Sequence, residues 1–170
     1  SAFRMTPGVP LVIPEVNPQA ITEANIGLGQ AQTAGIIANP NCSTIIMLVA
    51  VNPLHQVVPV KRMVVSTYQA ASGAGAAAMR ELEQQPREAL DGAVTTKDIF
   101  PFQYAFNLFS HNSPMQNNGY NQEELKMVHE THKILGQVEE ADKMAVTATC
   151  IRVPVMRAHA ESINLTFHGT

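Results

Sequence analysis

Residues 61–90 read KRMVVSTYQAASGAGAAAMRELEQQPREAL, and this stretch decides the fold class. Its first part, Lys61–Tyr68, is rich in valine and threonine, which favour β-strands. The glycines of the segment 72–75 interrupt the strand pattern, and the alanine-rich segment Ala76–Leu90 is typical of a helix. The stretch therefore predicts a strand, a glycine turn and a helix in direct succession.

Upstream of this unit, the sequence predicts a second helix that begins at Cys42 and continues through the apolar run to Val51. Asn41 precedes it and is a favoured N-cap residue, so Cys42 would occupy the first helical turn. Two short apolar runs, Pro10–Val16 and Ile36–Ala38, have proline or asparagine at their ends. Runs of this kind fit buried strands.

Downstream, the stretch Asn107–Tyr120 has no hydrophobic periodicity and is long for a connection, which favours a functional loop. Glu123–Leu135 has the pattern of a charged amphipathic helix. Met144–Val153 alternates in the manner of a strand, and Ser162–Phe167 resembles a partner strand for it. Three or more helices with about five strands predict an α+β or α/β fold built on a mixed sheet packed with helices.

Composition favours a globular domain with small-molecule chemistry. The chain has 170 residues, 45% of them hydrophobic and 15% charged, with a formal net charge of -3. Such a balance argues against the broad basic surface that a nucleic acid or an anionic membrane requires. No apolar run reaches the ~18 to 20 residues of a membrane span. Two cysteines and eight methionines suit a reducing compartment. We predict no metal site.

The two ends of the sequence suggest a fragment. The chain opens at Ser1 without an initiator methionine or a signal-like segment, and it begins and ends abruptly with SAFRM and NLTFHGT. We therefore expect that the chain is truncated at both ends.

Cys42 is the first candidate for chemistry. A cysteine in the first turn of a helix lies near unpaired backbone N–H groups, whose partial positive charge lowers the thiol pKa. The alternative is a buried cysteine that packs as a small hydrophobic residue, and helix position alone does not decide between them. Cys150 falls in a predicted buried strand, where the packing role is expected.

Five strings in the sequence carry a family resemblance. They are NPNCST at 39–44, STYQAASGAG at 66–75, RVPVMRAH at 152–159, SAFRM at 1–5 and EELK at 123–126. Together, and in their order along the chain, they resemble the aspartate-semialdehyde dehydrogenases over nearly the whole chain. The resemblance implies the α+β catalytic domain of a glyceraldehyde-3-phosphate-dehydrogenase-like enzyme, with most of the Rossmann NADP domain absent.

The resemblance also implies a reaction. In that family a cysteine thiolate attacks β-aspartyl phosphate, phosphate leaves, and NADPH reduces the thioester to aspartate semialdehyde on the pathway to lysine, threonine and methionine. Cys42 matches the nucleophile, which suits a soft thiolate that is also a good leaving group. His159 matches the acid/base group. Gln69 matches the residue that orients the acyl group.

Other matched positions would hold the substrate. Arg152 would bind the α-carboxylate with its planar fork. On a strand the odd spacing from Arg152 to His159 would face them oppositely, so the chain must bend from Pro154 onward if both serve one site. The resemblance implies that Glu123 contacts the substrate amino group. It also implies that the substrate phosphate is bound by Lys126, Arg4 and Asn41. The alternative for Glu123 and Lys126 is a solvated i, i+3 pair.

The cofactor prediction is partial. Gly73-x-Gly75-x-x-Ala78 matches the dinucleotide fingerprint formally, but a ribose reader should follow about 20 residues on at a second strand, and 88–92 falls at a helix end. In the resembled family the corresponding segment touches the nicotinamide end of NADP through Ser72, Gly73, Ala74, Gly75 and Ala76. The family's phosphate-binding glycine loop precedes the segment matching Ser1, and Gly27-x-Gly29 is followed by Gln32 rather than glycine.

The resemblance further implies a domain boundary and a homodimer. Residues 1–40 would end the nucleotide-binding domain, and residues 41–170 would form an incomplete catalytic and dimerisation domain. The location would be the cytoplasm, or the plastid stroma in a plant or alga. The remaining histidines fall on predicted surfaces or loops, so we expect solvated side chains and assign them no role. They are His55, His111, His129, His132 and His168.

Two alternatives stay open. One is a related phosphorylating dehydrogenase, such as N-acetyl-γ-glutamyl-phosphate reductase or glyceraldehyde-3-phosphate dehydrogenase, although Arg152 and Glu123 favour an amino-acid substrate. The other is a non-catalytic dimerisation or packing fragment.

Overall fold

The computed structural model describes residues 2–23 and 35–169. Its helices and strands, in chain order, are α1 (Gln19–Glu23), α2 (Cys42–Val57), β1 (Val60–Gln69), α3 (Ala76–Leu90), β2 (Phe109–Ser110), α4 (Gln122–Ile134), β3 (Ala145–Arg152) and β4 (Ala160–Phe167). The expected α+β class is confirmed. The Gly27-x-Gly29 string lies outside the described residues.

The strand, turn and helix predicted for residues 61–90 are all present. β1 supplies the strand, a 3₁₀ turn at Ala71–Ala74 replaces the glycine loop, and α3 begins directly after Gly75. Gly75 has a φ of +94°, a left-handed conformation that glycine adopts without a steric penalty. The chain therefore turns at Gly75 from the 3₁₀ turn into α3.

The two short apolar runs near the start of the chain do not form the regular strands that we expected. Leu11, Val12 and Ile13 of the first run are buried, whereas Ile37 of the second is 48% exposed. Leu11 and Ala38 form a single parallel bridge, and the chain then turns at residues 14–16. Pro10 and Pro14 flank the bridge, and because proline has no N–H it cannot extend a ladder. Asn17 instead accepts from the Ile13 N–H and donates to the Leu11 carbonyl.

The four-stranded sheet has the order β2-β3-β1-β4. β2 pairs antiparallel with β3, with Phe109 opposite Arg152. The expectation that β4 partners β3 is wrong, because β1 lies between them. The connection from 153 to 159 is seven residues long and contains Pro154, so it is longer than the two-residue loop of a tight hairpin. Such a link can pass over a neighbouring strand.

The chain divides into two compact units. The first unit comprises Ser1–Val64, Leu125–Thr147 and Ile163–Thr170, and the second comprises Val65–Glu124 and Ala148–Ser162. Buried apolar residues of the first unit include Leu11, Ile13, Met47, Leu48 and Met127. The second unit has a core cluster of Ala71, Ala78, Leu82, Phe100, Tyr104 and Ala105. The predicted domain boundary between residues 40 and 41 stays a prediction.

No helix in the described part of the chain is long and apolar enough to cross a membrane. Over the same residues, 2–23 and 35–169, no group of three or more His, Cys, Asp or Glu side chains is placed to hold a metal ion.

Candidate active site

In the first unit, Cys42 begins α2, as the sequence predicts. The Asn41 side-chain oxygen accepts hydrogen bonds from the backbone N–H groups of Ser43 and Thr44, at 2.9 and 3.3 Å. This cap fixes the start of the helix, where the positive end of the helix dipole lies. The Cys42 side chain is exposed. Exposure at a helix start suits a nucleophile and does not suit a cysteine that packs as a hydrophobic residue.

Cys150 gives the opposite picture in the second unit. It is fully buried on β3, and this burial raises the pKa of its thiol to about 12. The side chain therefore stays a neutral thiol at physiological pH, and the expected packing role fits it.

Arg4 and Asn41 are linked in the first unit by a residue that the sequence did not single out. Glu130, on α4, accepts from Arg4 Nη1 at 3.1 Å and from the Asn41 backbone N–H at 2.6 Å. Arg4 Nε also donates to the Asn39 carbonyl at 2.8 Å. The predicted phosphate ligands Arg4 and Asn41 thus share one buried carboxylate. Lys126 is half-buried on the same helix.

In the second unit, Arg152 ends β3 and is only 5% exposed. Its Nη1 donates to the Ala70 carbonyl at 3.2 Å, and its Nη2 lies 2.9 Å from His111 Nε2. The Asn112 side-chain oxygen is 3.4 Å from both Nε and Nη2, and the Phe100 ring centroid is 5.4 Å from the guanidinium carbon. These contacts fix the plane of the guanidinium before any ligand binds.

His159 lies beside the same peptide. Its Nδ1 accepts a hydrogen bond from the Ala70 N–H at 3.0 Å, so the proton of the neutral imidazole is on Nε2. Burial, and then the charge of Arg152, lower the pKa of His159, while Glu123 acts in the opposite direction. The imidazole is therefore mainly neutral at pH 7, with Nε2–H as its donor.

The bend required between Arg152 and His159 is present. β3 ends at Arg152, the Val155 N–H donates to the Val153 carbonyl at 2.7 Å, and Ala158 has a φ of +69°. The chain turns far enough for Arg152 and His159 to contact the two ends of the Ala70 residue, the first its carbonyl and the second its N–H.

Gly73 lies against these two side chains. A Cβ built on Gly73 would be 2.8 Å from His159 Cε1, 2.9 Å from His159 Nε2 and 3.5 Å from Arg152 Nη1. Only glycine allows so close an approach without a shift of the imidazole. The Ala71 N–H donates to the Val155 carbonyl and the Ser72 N–H to the Met156 carbonyl, which tie the 3₁₀ turn to the bend.

Gln69, the predicted orienting residue, is 1% exposed at the end of β1. Its carbonyl accepts from the Tyr104 hydroxyl at 3.2 Å and from the Val153 N–H at 3.1 Å. Burial raises the pKa of Tyr104 to about 12, against the opposing charge of Arg152, so the phenol stays protonated and can donate. Tyr104 thus holds the backbone of Gln69 in place.

Glu123 is 5% exposed, which does not fit a solvated surface pair. Its backbone N–H donates to the Ser113 hydroxyl at 3.0 Å. Asn121 and Glu124 form a reciprocal capping box, in which each side chain accepts from the other's backbone N–H. This cap fixes Glu123 in the first turn of α4. Its charge acts on His159, so the carboxylate lies within electrostatic range of the imidazole.

Three histidines that we expected to be solvated are half-buried and hydrogen-bonded. His111 contacts Arg152, His55 Nδ1 accepts from the Val60 N–H, and His132 lies 2.9 Å from the Met144 carbonyl. The expectation is wrong for these three, since each ring meets backbone or a buried cation. His129 and His168 are exposed, as expected.

The structure thus brings the predicted residues together in two groups. The first unit holds Arg4, Asn41, Cys42 and Lys126. The second holds Gln69, Gly73, Glu123, Arg152 and His159. Three further residues of this unit that the sequence analysis did not assign to the site contact Arg152 or Gln69, namely His111, Asn112 and Tyr104. The prediction of a functional loop at 107–120 covers His111 and Asn112, although His111 was assigned no role and Asn112 was not named.

Comparisons with known proteins agree on one family. The profile of the family "Semialdehyde dehydrogenase, dimerisation domain" matches residues 51–170. The chain is 54% identical to an aspartate-semialdehyde dehydrogenase from Synechocystis sp., over 98% of the chain and 46% of that protein. It is 53% identical to the enzyme of the same name from Prochlorococcus marinus, over 98% of the chain and 45% of that protein. The chain spans about half the length of the curated relatives it matches.

Solved structures give the same result. An aspartate semialdehyde dehydrogenase II from Vibrio cholerae matches 98% of this chain and 47% of its own, with 43% identity and a TM-score of 0.88. The same enzyme complexed with ASA matches 97% and 46%, with 42% identity and a TM-score of 0.87. An aspartate semialdehyde dehydrogenase with NADP from Candida albicans matches 100% and 43%, with 26% identity and a TM-score of 0.67.

Proposed function

Since the chain belongs to the semialdehyde dehydrogenase family, with the dimerisation domain over residues 51–170, we propose that it works in the NADP-dependent reductive dephosphorylation of β-aspartyl phosphate to aspartate semialdehyde. This step leads toward lysine, threonine and methionine. The observation that carries the proposal is the placement of Arg152 and His159 on the two polar groups of Ala70, in a chain whose relatives bear that enzyme's name.

Cys42 is the proposed acyl acceptor. Its thiolate attacks the carbonyl carbon of the acyl phosphate, the new C–S bond forms, and the C–O bond to phosphate breaks. The leaving phosphate takes up the one proton that the overall reaction consumes. An exposed thiol at the capped start of α2 suits this step, because the helix N-terminus stabilises the attacking thiolate. In the phosphate's binding we propose roles for Arg4, Asn41 and Lys126.

Arg152 is the proposed ligand of the substrate α-carboxylate, and Glu123 of the amino group. The guanidinium is held by Ala70, His111 and Asn112, so a carboxylate would meet a fork whose orientation is already set. When Arg152 fixes the substrate carboxylate, it also fixes the position of the reacting carbon. Such orientation lowers the entropic cost of reaching the transition state. Solved relatives include one complexed with ASA.

His159 acts through Nε2 in this proposal. With Nδ1 occupied by the Ala70 N–H, the neutral ring can donate from Nε2 to the carbonyl oxygen of the acyl group as negative charge develops there. Collapse of the oxyanion in the acylation step breaks the C–O bond to phosphate. After the thioester carbon has been reduced, collapse of the second oxyanion re-forms the carbonyl of the aldehyde, the C–S bond breaks, and Cys42 leaves as a thiolate. Full proton transfer, the acid/base role implied by the resemblance, would require an imidazolium whose Nδ1 proton displaces the Ala70 contact.

NADPH, when bound, supplies the hydride that reduces the thioester carbon. The segment 72–76 fits the flat nicotinamide end, because Gly73 has no side chain between the turn and His159, and a Cβ on Gly75 would meet nothing within 4 Å. The residues proposed to contact it are Ser72, Gly73, Ala74, Gly75 and Ala76. A relative from Candida albicans is described with NADP.

The proposal is tested by acyl transfer without reduction. Mixing the protein with β-aspartyl phosphate in the absence of NADPH should release a burst of about one phosphate per Cys42. Arg152→Ala should lower the second-order rate of the burst by about a hundredfold, since it removes a charged hydrogen bond worth about 3 kcal/mol. Arg157→Ala, on the same bend but exposed, is the matched control and should leave the rate unchanged.

A burst of equal rate with N-acetyl-γ-glutamyl phosphate would contradict the substrate assignment and favour the related reductase. A folded protein with no burst from either compound would favour the non-catalytic packing fragment. We further propose a homodimer, which the family description supports and sedimentation equilibrium tests. The cytoplasm, or the plastid stroma in a plant or alga, is the proposed location, to be checked by cell fractionation.

A further inference from the structure

A buried carboxylate holds the segment that leads into the Cys42 helix. Glu130 is 1% exposed, and its two oxygens have different partners. Oε2 accepts from the Asn41 backbone N–H at 2.6 Å, and Oε1 accepts from Arg4 Nη1 at 3.1 Å. Arg4 Nε in turn donates to the Asn39 carbonyl at 2.8 Å. The segment 39–41 is therefore fixed on its carbonyl side by Arg4 and on its N–H side by Glu130.

Arg4 itself is held from the same helix. Lys133, three residues after Glu130 on α4, donates to the carbonyls of Arg4 and Thr6 at 2.7 and 3.2 Å. Residues three apart on a helix lie on the same face. One face of α4 therefore anchors both the Arg4 backbone and the Asn41 backbone, which places the ion pair next to the start of α2.

The hold on Asn41 affects the helix cap. Asn41 accepts from Ser43 and Thr44 through its side chain, and its own backbone N–H is directed to Glu130. Asn41 has the extended dihedral angles of an N-cap residue, φ -60° and ψ 143°. The hydrogen bond from its N–H to Glu130 holds the peptide between Pro40 and Asn41 in place and so supports these angles. Without Glu130 the buried Asn41 N–H would lose its acceptor, at a cost typical of unsatisfied polar groups.

Charge is the second part of the arrangement. A lone buried carboxylate next to the start of a helix would oppose a thiolate in its first turn. Arg4 forms an ion pair with Glu130, so the two charges largely cancel at Cys42. The positive end of the helix dipole can then stabilise the thiolate without repulsion from Glu130. Lys126 and Lys133 also lie on α4 and stay unchanged in the variants below.

We propose that Glu130 is a positioning residue for Cys42, which fixes the N-cap through the Asn41 N–H, and that Arg4 is the counter-ion that keeps the Glu130 charge from suppressing the Cys42 thiolate. The inference rests on the proposed nucleophile, since it names what positions that thiol.

Alkylation of Cys42 across pH 5.5 to 9.5 separates the two effects. Arg4→Gln should move the midpoint of the rate profile upward by about one pH unit, because Glu130 is left uncompensated. Glu130→Gln keeps an oxygen that can accept from Asn41 and removes the negative charge, so the midpoint should stay or fall. The double variant should return toward the original midpoint, as expected for coupled neighbours.

Glu130→Ala removes the acceptor as well and should lower the limiting alkylation rate at high pH or broaden the profile. Glu139→Gln, an exposed carboxylate of the same unit, is the matched control and should leave the profile unchanged. Circular dichroism checks that each variant folds. If Glu130→Ala does not fold, Glu130→Asp replaces it, and because its shorter side chain keeps the charge but reaches the Asn41 N–H less well, its limiting rate should fall with little change in the midpoint.

The inference is overturned if Arg4→Gln leaves the midpoint in place, or if the two single variants shift it in the same direction. The phosphate burst is measured independently. A protein with no burst but with the expected changes in the alkylation midpoint would contradict the proposed reaction and keep Glu130 as the residue that positions Cys42.

Discussion

At the scale of single residues, His159 shows how one backbone contact assigns a proton. The Ala70 N–H occupies Nδ1, and burial and Arg152 lower the pKa of the ring. The folded protein therefore resists protonation of His159, whereas in the unfolded chain the imidazole takes up a proton near its ordinary pKa of 6.5. Because the unfolded state binds more protons, stability contributed by His159 is present above pH 6.5 and is lost as the pH falls through 6.5.

His159→Asn should reduce the loss of stability between pH 7 and pH 5. Asparagine can still accept from the Ala70 N–H, but it does not titrate. We expect the urea-unfolding free energy to fall by less in the variant, with a difference below about 1 kcal/mol because the ring is only partly buried and solvent screens it. His168→Asn, at an exposed position, should show the original pH dependence. An unchanged slope in His159→Asn would contradict the low pKa.

Residue types and local patterns predicted Asn41 as a cap and Cys42 in the first turn, because capping is decided within four residues. The contacts of Arg152 were not predictable in this way. His111 and Asn112 lie in a loop without periodicity, about 40 residues before Arg152, and only the β2–β3 pairing brings them to it. Glu130 was missed for the same reason, since its partners are Arg4 and Asn41.

At the scale of secondary-structure elements, one polar row on α3 holds the loop that follows it. Glu81 accepts from the backbone N–H groups of Asp98, Ile99 and Phe100 at 2.6, 2.8 and 3.2 Å. Gln85 accepts from the N–H groups of Tyr104 and Ala105 at 2.7 and 2.8 Å. The row therefore positions the rings of Phe100 and Tyr104 against Arg152 and the Gln69 carbonyl.

Glu81→Ala should destabilise the protein by about 3 kcal/mol, because three backbone N–H groups in the second unit lose their acceptor. The same change should weaken substrate binding, since Phe100 and with it Arg152 lose their support. Glu83→Ala, exposed on the same helix, is the control and should change the unfolding free energy by less than about 0.5 kcal/mol. Urea unfolding measures the free energy of unfolding of the two variants. Equal losses of stability in Glu81→Ala and Glu83→Ala would contradict the anchoring role.

The helices and the central strands were predicted from the spacing of hydrophobic residues and the positions of glycines, as in β1 and α3. What did not follow was the order of the sheet and the absence of regular strands at 10–16. Strand order depends on contacts far apart in the sequence, and the proline residues 10 and 14 interrupt a run whose hydrophobicity alone suggests a strand. The buried Glu81 was not singled out from the sequence either, because its backbone partners lie 17 to 19 residues further along the chain.

At the scale of the whole molecule, the two compact units divide the proposed chemistry. The first contains the nucleophile and the proposed phosphate ligands, and the second contains the proposed substrate fork, the imidazole and the glycine turn. The family profile covers residues 51–170, so it includes the whole second group but only Lys126 of the first, because Arg4, Asn41 and Cys42 precede it. Each group is organised by the hydrogen bonds of its own unit.

Mapping iodoacetamide on the two cysteines tests most directly whether Cys42 is the reactive thiolate. The folded protein is treated near pH 7.5, unfolded, digested and analysed by mass spectrometry, with glutathione in the same tube as an unperturbed thiol. We predict that Cys42 reacts faster than Cys150 and faster than glutathione, with a rate profile whose midpoint lies below that of glutathione. A Cys42 that reacts no faster than Cys150 would contradict the nucleophile assignment.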